Sequence, residues 1–515
     1  MIARRSVLRA GAGAAGLGLV GATGPDAAGA TVPVGANGPR GKVPWDRLRD
    51  ALHGDLVLSG EPAYAHARQL ALAQFDGVGP QGVAYCVSAR DVAGCLRFAQ
   101  EHGLTTATRS GGHSYGGYST THGLIVDVSR MNRVRPGERS VRIGPGAQAV
   151  DAMSALAPHD LQIVSGLCPT VCPGGYLLGG GIGHQTRKFG LGSDRMVSAE
   201  VVLADGRIVR ASADEEPDLF WALRGGGGGN FGIVTDFEVL PTRAPTMNNY
   251  TLAWKAEHFP EVAAAWQEWI GEADTDLAGS LGVMLDDSQP DAVPQVLVTG
   301  AHLGRAEALR EALDSLVSAV GSRPSDRQET GELPYAQAMM QTFGCTELST
   351  EECHREGGSG GGRLPREQFV LDRNRLATQS LPDDAVKALF AAHAADRRTG
   401  QMRYLNFMAL GGRANVPART DTAYVHRDAR LFVGYSVGLS AQHAGEEDRR
   451  AARAWIDHAF AVLTPHSSGE AYQNFIDPAL ECWESAYYAE NYERLRRVRR
   501  RYDPSHFFTF PQAVA

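Results

Sequence analysis

The amino-acid sequence predicts an α+β protein of two domains, on three observations. A strand–helix–strand pattern opens the ordered-looking part of the chain. Glycine then gathers in three clusters, each beside short β-branched strands. Beyond Pro241–Pro245 the texture changes to longer strands mixed with amphipathic helices. A chain of 515 residues has material for roughly two to four domains at about 150 residues each.

The opening pattern begins with an apolar strand from Gly82 to Val87. Ser88 with Asp91 forms a capping box, so a helix is expected from about Asp91 to His102, stopped by Gly103. Leu104 to Arg109 reads as the next strand and enters the first glycine cluster, Ser110 to Gly117. Strands at Leu124–Val128 and Val141–Ile143 follow. Gly166 to Gly192 is glycine-dense, and Asp205-Gly206 makes a hairpin turn between Ser198–Leu203 and Ile208–Arg210. Gly225 to Gly229 is the third cluster. The second texture contains strands at Tyr250–Trp254, Ser280–Leu285, Val296–Thr299, Arg403–Met408 and Leu431–Leu439. Its helices are Pro260–Ala273, Arg305–Val320 and Glu446–Leu463, with a flexible loop at Gly357–Gly362. The tail from Tyr487 to Val514 is expected to return to the first domain. The divisions are therefore 45–245, 246–465 and 466–515, preceded by a leader over 1–30.

Composition narrows the function classes. Fifty basic against 58 acidic residues give a net charge of −8, which argues against nucleic acid as the partner. The 61 glycines show no three-residue period, so collagen is excluded, and seven cysteines are too few for a disulfide scaffold. No apolar run of about 20 residues lies beyond the N-terminus, so no stable membrane anchor is expected. Arg4-Arg5 precedes a weakly apolar Gly/Ala/Leu/Val stretch that ends in Ala28-Gly29-Ala30, as in a twin-arginine signal. The twin-arginine export machinery is thus an expected partner, with cleavage near Ala30 and secretion to the extracellular space or periplasm. Gly11 to Gly16 spells G-x-G-x-x-G inside this leader, without the strand and helix a dinucleotide fingerprint needs.

Glycine clusters are entropically costly and are kept where backbone approaches a ligand or turns through positive φ. Ser110, Gly111, Gly112, His113 and Ser114 at a strand end form a candidate anion-binding nest, with His113 and Cys168 beside two of the clusters. These stretches also carry a resemblance. Arg109-Ser-Gly-Gly-His113-Ser-Tyr, Gly166-Leu-Cys168-Pro-Thr-Val-Cys-Pro-Gly-Gly, Arg187-Lys-Phe-Gly-Leu191 and Gly228-Gly-Asn-Phe-Gly-Ile-Val234 resemble the berberine bridge enzyme-like flavin oxidases. So do Tyr487-Tyr488-x-x-Asn491-Tyr492-x-Arg494-Leu495, Tyr502-Asp-Pro504 and Phe510-Pro-Gln512. The resemblance implies a two-domain PCMH-type FAD-binding fold of the vanillyl-alcohol oxidase type. FAD would lie between the domains, and the substrate domain would be an antiparallel sheet covered by helices. It further implies covalent FAD on His113, through the flavin 8α-methyl, and on Cys168, through ring carbon 6. Arg109, Gly174, Gly175, Gly179, Gly180, Gly183, Gly229, Ile233 and Asn491 are implied as cofactor-binding, and Val171 takes the oxygen-access position.

The resemblance also assigns the redox step. Hydride goes to flavin N5 while a base takes the hydroxyl proton, and Tyr487 matches a tyrosine acting in that transfer. Tyr488 is a second candidate and points the other way if the segment is extended. Two family features are absent: Met408 stands where a Glu or Asp is common, and Ile182 where many carbohydrate oxidases have Tyr. Asn406 on the same strand and His184 are the substitutes the sequence offers. The expected function is an oxidase acting on an alcohol group of a carbohydrate or of a hydroxylated or glycosylated metabolite. O2 would be the electron acceptor, giving H2O2. Oxidative cyclisation, amine or phenol oxidation, and flavin binding without turnover are the alternatives. No metal site is expected, because Cys168 and Cys172 lack zinc-site partners. Gly434-Tyr-Ser-Val-Gly438 fits a hydrolase elbow but lies inside an alternating strand. Arg494 to Arg501 reads as a solvated helix face, Cys345 and Cys353 as a possible loop disulfide, and Tyr424 to Arg427 as structural.

Overall fold

The computed structural model describes residues 43–243, 245–357 and 361–515. The leader over 1–30 lies outside the described residues, as do 358–360 of the Gly357–Gly362 loop.

Three sheets organise the chain. The first contains β1 (Asp55–Leu58), β2 (Gly82–Tyr85), β3 (Thr106–Arg109) and β4 (Leu124–Asp127) in the order β1-β2-β4-β3. β2 and β3 both run parallel to β4, so the chain crosses over through the helix Ala89–Glu101. Ser88 caps that helix, its hydroxyl accepting from the Asp91 N–H at 3.2 Å, and so the helix begins two residues earlier than the pattern predicts. Val92, Cys95, Leu96 and Ala99 form its buried face against Leu124 and Val126. Ser88→Ala is expected to cost about 1 kcal/mol, read as a small downward shift of the thermal midpoint.

The second sheet is antiparallel: β5 (Val134–Pro136), β6 (Val141–Ile143), β7 (Met196–Val202), β8 (Ile208–Ser212) and β9 (Ile233–Val239), in the order β5-β6-β9-β7-β8. Its inner face packs on the helix Pro217–Leu223. The same core takes in Tyr487, Tyr488, Leu495 and Val498 from the tail. The tail is helical at Trp483–Tyr488 and Tyr492–Tyr502, not extended. Consequently Tyr487 and Tyr488 do not alternate between opposite faces, and both phenols are buried.

The third sheet holds β10 (Thr246–Lys255), β11 (Leu277–Leu285), β12 (Gln295–His302), β13 (Asp326–Glu329), β14 (Leu333–Pro334), β15 (Phe369–Ala377), β16 (Gln401–Ala409) and β17 (Leu431–Leu439). The order is β13-β10-β12-β11-β16-β17-β15, with β14 beside β10. Side chains alternate strictly across it. Leu405 and Phe407 of β16 and Val433, Tyr435 and Val437 of β17 meet the helices Phe259–Glu272, Ala306–Val320, Asp383–Ala394 and Glu446–Leu463. The intervening residues face a cavity. β17 runs unbroken through Gly434–Gly438, so no nucleophile elbow exists there. Cys345 and Cys353 are joined as a disulfide.

Candidate active site

Between the glycine loops of the N-terminal half and the open face of the third sheet lies a cavity of about 1820 Å³. Its walls come from residues far apart in sequence, and each is placed by a local cause.

Arg109, at the end of β3, is ion-paired with Asp127 at the end of β4, and its guanidinium lies 5.9 Å from the centroid of the Tyr85 ring. It therefore anchors the base of the first glycine loop and does not line the cavity, contrary to the cofactor contact expected of it. The loop beyond it, Ser110 to Ser114, does line the cavity. Gly112 sits at φ +71°, a turn that an L side chain would strain. Gly111 allows two loops to touch: a Cβ there would lie 3.0 Å from the Thr170 carbonyl and 3.2 Å from the His113 ring.

The second loop is held from behind. The first N–H groups of the helix Ala149–Leu156 have no partners within the helix. Those of Ala149 and Val150 donate to the carbonyls of Val171 and Pro169, each at 3.0 Å. Cys168, Val171, Gly174 and Gly175 thereby reach the cavity wall. Thr170 stands between the two expected tether residues, its hydroxyl 2.9 Å from His113 Nε2 and 3.7 Å from Cys168 Sγ. Burial lowers the His113 pKa to about 3, the Arg355 charge lowers it further, and the contact with Thr170 opposes. The imidazole is neutral at physiological pH. In the tautomer whose Nε2–H donates to the Thr170 hydroxyl, the lone pair sits on Nδ1. Burial raises the Cys168 thiol, while hydrogen bonds from Thr170 lower it. Cys172 is separate: its sulfur donates to the Gly146 carbonyl at 3.4 Å, and burial raises its pKa far above the usual range. Among the described residues no group of three or more His, Cys, Asp or Glu side chains is placed to hold a metal ion.

Gly229, at φ +78°, and Ile233 line the cavity from the third glycine cluster. Four other expected contacts are displaced by packing. A Cβ on Gly179 would lie 2.0 Å from Asn474 Oδ1, on Gly180 2.8 Å from the Tyr424 ring, and on Gly183 1.8 Å from the Ser165 carbonyl. These glycines permit close backbone approach and lie off the cavity wall. Asn491 is also off it; its amide donates to the carbonyls of Arg419 at 2.8 Å and Thr422 at 3.1 Å.

Tyr487 and Tyr488 both line the cavity. The Tyr487 hydroxyl accepts from the Asp477 N–H at 2.9 Å, and the Tyr488 hydroxyl donates to the Gly226 carbonyl at 3.1 Å. Burial drives both phenols well above their ordinary range; for Tyr487 the hydrogen bond from the Asp477 N–H opposes this and the Asp477 charge adds to it. No cation offsets that burial, so Tyr487 stays protonated and is a hydrogen-bond donor, not a base. Asn406 lines the wall and accepts from the Tyr404 hydroxyl at 3.3 Å. Met408 and Ile182 form an apolar patch with Phe432, Tyr472 and Phe475. His184 lies off the wall, with its pKa lowered to about 4 by burial.

Sequence reasoning passed over several wall residues. Tyr115 follows the His113 motif by two residues. Arg355 donates to the Gly111 carbonyl at 3.0 Å. Asp372 and Ser436 sit on the open face of the third sheet, where Ser436 donates to Asp372 Oδ2 at 2.6 Å. The only signal for Asp372 was the alternation within β15, masked by charged residues on both of its faces.

The walls suit a flavin dinucleotide. The hydroxyls of Tyr118, Thr120 and Tyr176 are buried at the cavity with no hydrogen-bond partner among the described residues, which a polar ligand would satisfy. Glycine backbone, a neutral imidazole and a thiol complete a donor set fitting that cofactor.

Comparison with known proteins agrees. Residues 80–212 match the family described as an FAD binding domain, and residues 471–515 the family described as berberine and berberine like. The uncharacterized FAD-linked oxidoreductase YgaK of Bacillus subtilis is 30% identical over 475 residues, covering 90% of this chain and 97% of YgaK. The chain belongs to the berberine bridge enzyme-like FAD-linked oxidoreductases. Within that family, the xylooligosaccharide oxidase of Thermothelomyces thermophilus is 29% identical over 454 residues, covering 84% of this chain and 87% of that protein. The fold matches glucooligosaccharide oxidase from Acremonium strictum, a structure described by its 6-S-cysteinyl, 8α-N1-histidyl FAD. The TM-score is 0.79 at 24% identity, over 91% of this chain and 98% of the other. The chain is therefore an FAD-linked oxidoreductase, and the two-domain PCMH-type α+β architecture is the one seen here.

Proposed function

We propose that this protein is exported in folded form and holds FAD covalently through His113 Nδ1 and Cys168 Sγ. It oxidises an alcohol group of a carbohydrate or of a hydroxylated or glycosylated metabolite. When bound, the flavin accepts the hydride at N5 and passes the electrons to O2, giving H2O2. The observation that carries this reading is one chamber with His113 and Cys168 on one wall and a polar strip, Tyr404, Asn406, Ser436 and Asp372, on the other. The strip suits a hydroxylated substrate. Tyr487, which accepts from the Asp477 N–H, keeps its own proton to donate to the substrate, and the loops around Thr170 keep the reacting groups enclosed. The 29% likeness to a xylooligosaccharide oxidase supports the substrate class.

The test is a screen of sugars and hydroxylated metabolites with the purified holoprotein. An alcohol is expected to bleach the flavin absorbance without air, and admission of air to restore it with release of peroxide. The apolar patch of Met408, Ile182 and Phe432 favours a second reading, amine or phenol oxidation or oxidative cyclisation. Bleaching by amines or phenols alone would establish that reading in place of the first. Absence of bleaching by any compound would leave a flavin-binding protein without turnover.

A further inference from the structure

We propose that Asp372 is the catalytic base of this enzyme, taking the substrate hydroxyl proton where this chain has Met408 and no carboxylate on β16. The proposal rests on the alcohol-oxidase reading and adds to it the residue that receives the proton.

The sheet geometry singles it out. Two rows of residues run across the open face of the third sheet. In one, Asp372 pairs with Ser436 and Ser436 with Tyr404; in the other, Asn374 pairs with Gly434 and Gly434 with Asn406. Gly434 lets the Phe432 ring lie close against the strip, where a Cβ would come within 3.1 Å of it, and Asp372 lines the cavity at its β15 end. Its carboxylate is positioned on both oxygens: Ser436 Oγ donates to Oδ2 at 2.6 Å and Asn374 Nδ2 to Oδ1 at 3.5 Å. It also lies in the tether chamber. The charges of Asp372 and of Cys168 both bear on the same phenol, Tyr115, on the His113 loop.

Glu367 also lines the cavity and its charge bears on Tyr115 and Cys168, but it lies outside the strip of β15, β16 and β17; among the residues of the strip and those expected to act in the redox step, no other takes the proton. Tyr487 keeps its proton, Asn406 and Met408 accept none, His184 is off the wall and His113 is the expected tether. Burial lifts the Asp372 carboxyl to about 7, opposed by its bonds from Ser436 and Asn374 and aided by Asp477. The groups facing it are Tyr115 from the first glycine loop, Ser436 from β17, Asn374 from β15 and Asp477 from the tail. The Asp477 carboxylate is held by Arg373 at 2.7 Å. Arg449 and Arg453 of the helix Glu446–Leu463 also reach the cavity and lie over the Phe369 ring at 5.5 and 5.7 Å. A base near neutral pH is matched to its task. In the step, the substrate O–H bond breaks and its proton passes to an Asp372 oxygen. The C–H bond breaks, its electron pair leaving as hydride to the oxidant FAD, and a C=O bond forms.

The test uses holoprotein and anaerobic flavin bleaching by the alcohol found in the screen, followed across pH 5–9. Wild type is expected to show a rate that rises through about pH 7, as Asp372 loses its proton. Asp372→Asn is expected to fall by about 10²–10⁴-fold with a flat profile, with unchanged flavin content. Asp372→Glu is expected to restore part of the rate. Ser436→Ala, which removes a bond to the ionised form, is expected to move the rise to higher pH. Infrared difference spectra should contain a protonated-carboxyl band titrating near neutral pH that Asp372→Asn lacks. A folded Asp372→Asn protein with wild-type rate and profile overturns the proposal, as does a missing infrared band. Failure of every alcohol to bleach wild type overturns the alcohol-oxidase reading, and the assignment of the base falls with it.

Discussion

Replacing both His113 and Cys168 by alanine is expected to give protein whose flavin is lost entirely on acid precipitation, leaving a colourless pellet with the mass of the bare chain. Each single variant is expected to keep one bond to the flavin and so remain yellow. Attack on the 8α position needs an unprotonated imidazole, and burial lowers the His113 pKa to about 3, so the ring is neutral in the folded site near neutral pH. Thr170 Oγ1 lies 2.9 Å from Nε2, and in the tautomer whose Nε2–H donates to it Nδ1 is the nucleophile. Thr170→Ala is therefore expected to slow the attachment at His113 without abolishing it, read as a mixture of masses in freshly purified protein. Cys168 is raised by burial and needs its thiolate stabilised within the site. The neighbouring Arg355 charge acts in that direction. Wild-type protein that precipitates colourless after growth with riboflavin would end the covalent reading.

The second large effect concerns the joint between the two halves. Arg427 is 2% exposed and makes four hydrogen bonds. Two go to the Asp194 carboxylate at 2.8 and 2.6 Å, one to the Ala414 carbonyl at 2.8 Å and one to Thr422 Oγ1 at 2.8 Å. Asp194 also accepts the Leu191 N–H at 3.0 Å, which shapes the turn after the second glycine segment. Arg427→Met leaves that carboxylate enclosed without its cation, a loss of about 3–5 kcal/mol for a buried pair. A chain of this size does not unfold in two states, so the readout is the half-life of flavin-bound protein at fixed temperature. A markedly shorter half-life is expected, with partial recovery on adding Asp194→Asn. A half-life equal to wild type would show that the pair holds nothing together.

The site was legible in sequence where chemistry and backbone geometry coincide. His113, Cys168, Val171 and the glycines beside them stand in short loops whose residue types already mark a ligand, and the folded chain puts them on one wall. Elements with a clean period were equally legible. Leu431–Leu439 and Glu446–Leu463 have the boundaries that their alternation and helical repeat imply. β15 was not read, because Asp372, Arg373, Asn374 and Arg375 look like a solvated run. In the fold, Arg373 and Arg375 lie over the Phe460 ring at 4.0 and 4.6 Å, and Asp372 and Asn374 face the other way. Arg109, Gly179, Gly180, Gly183 and Asn491 stand beside the cavity wall. Arg109 is held by an ion pair, the glycines by close backbone approach, and Asn491 by hydrogen bonds to carbonyls.

Sequence alone determined the period of each element, the places where only glycine can turn, and the nucleophiles set in those turns, since all of these depend on neighbours a few residues away. Which polar side chain meets the cavity, and with what affinity for a proton, was decided only by the tertiary structure. Desolvation and field at a group such as Asp372 are sums over β17, the first glycine loop and the tail, segments that no local pattern brings together.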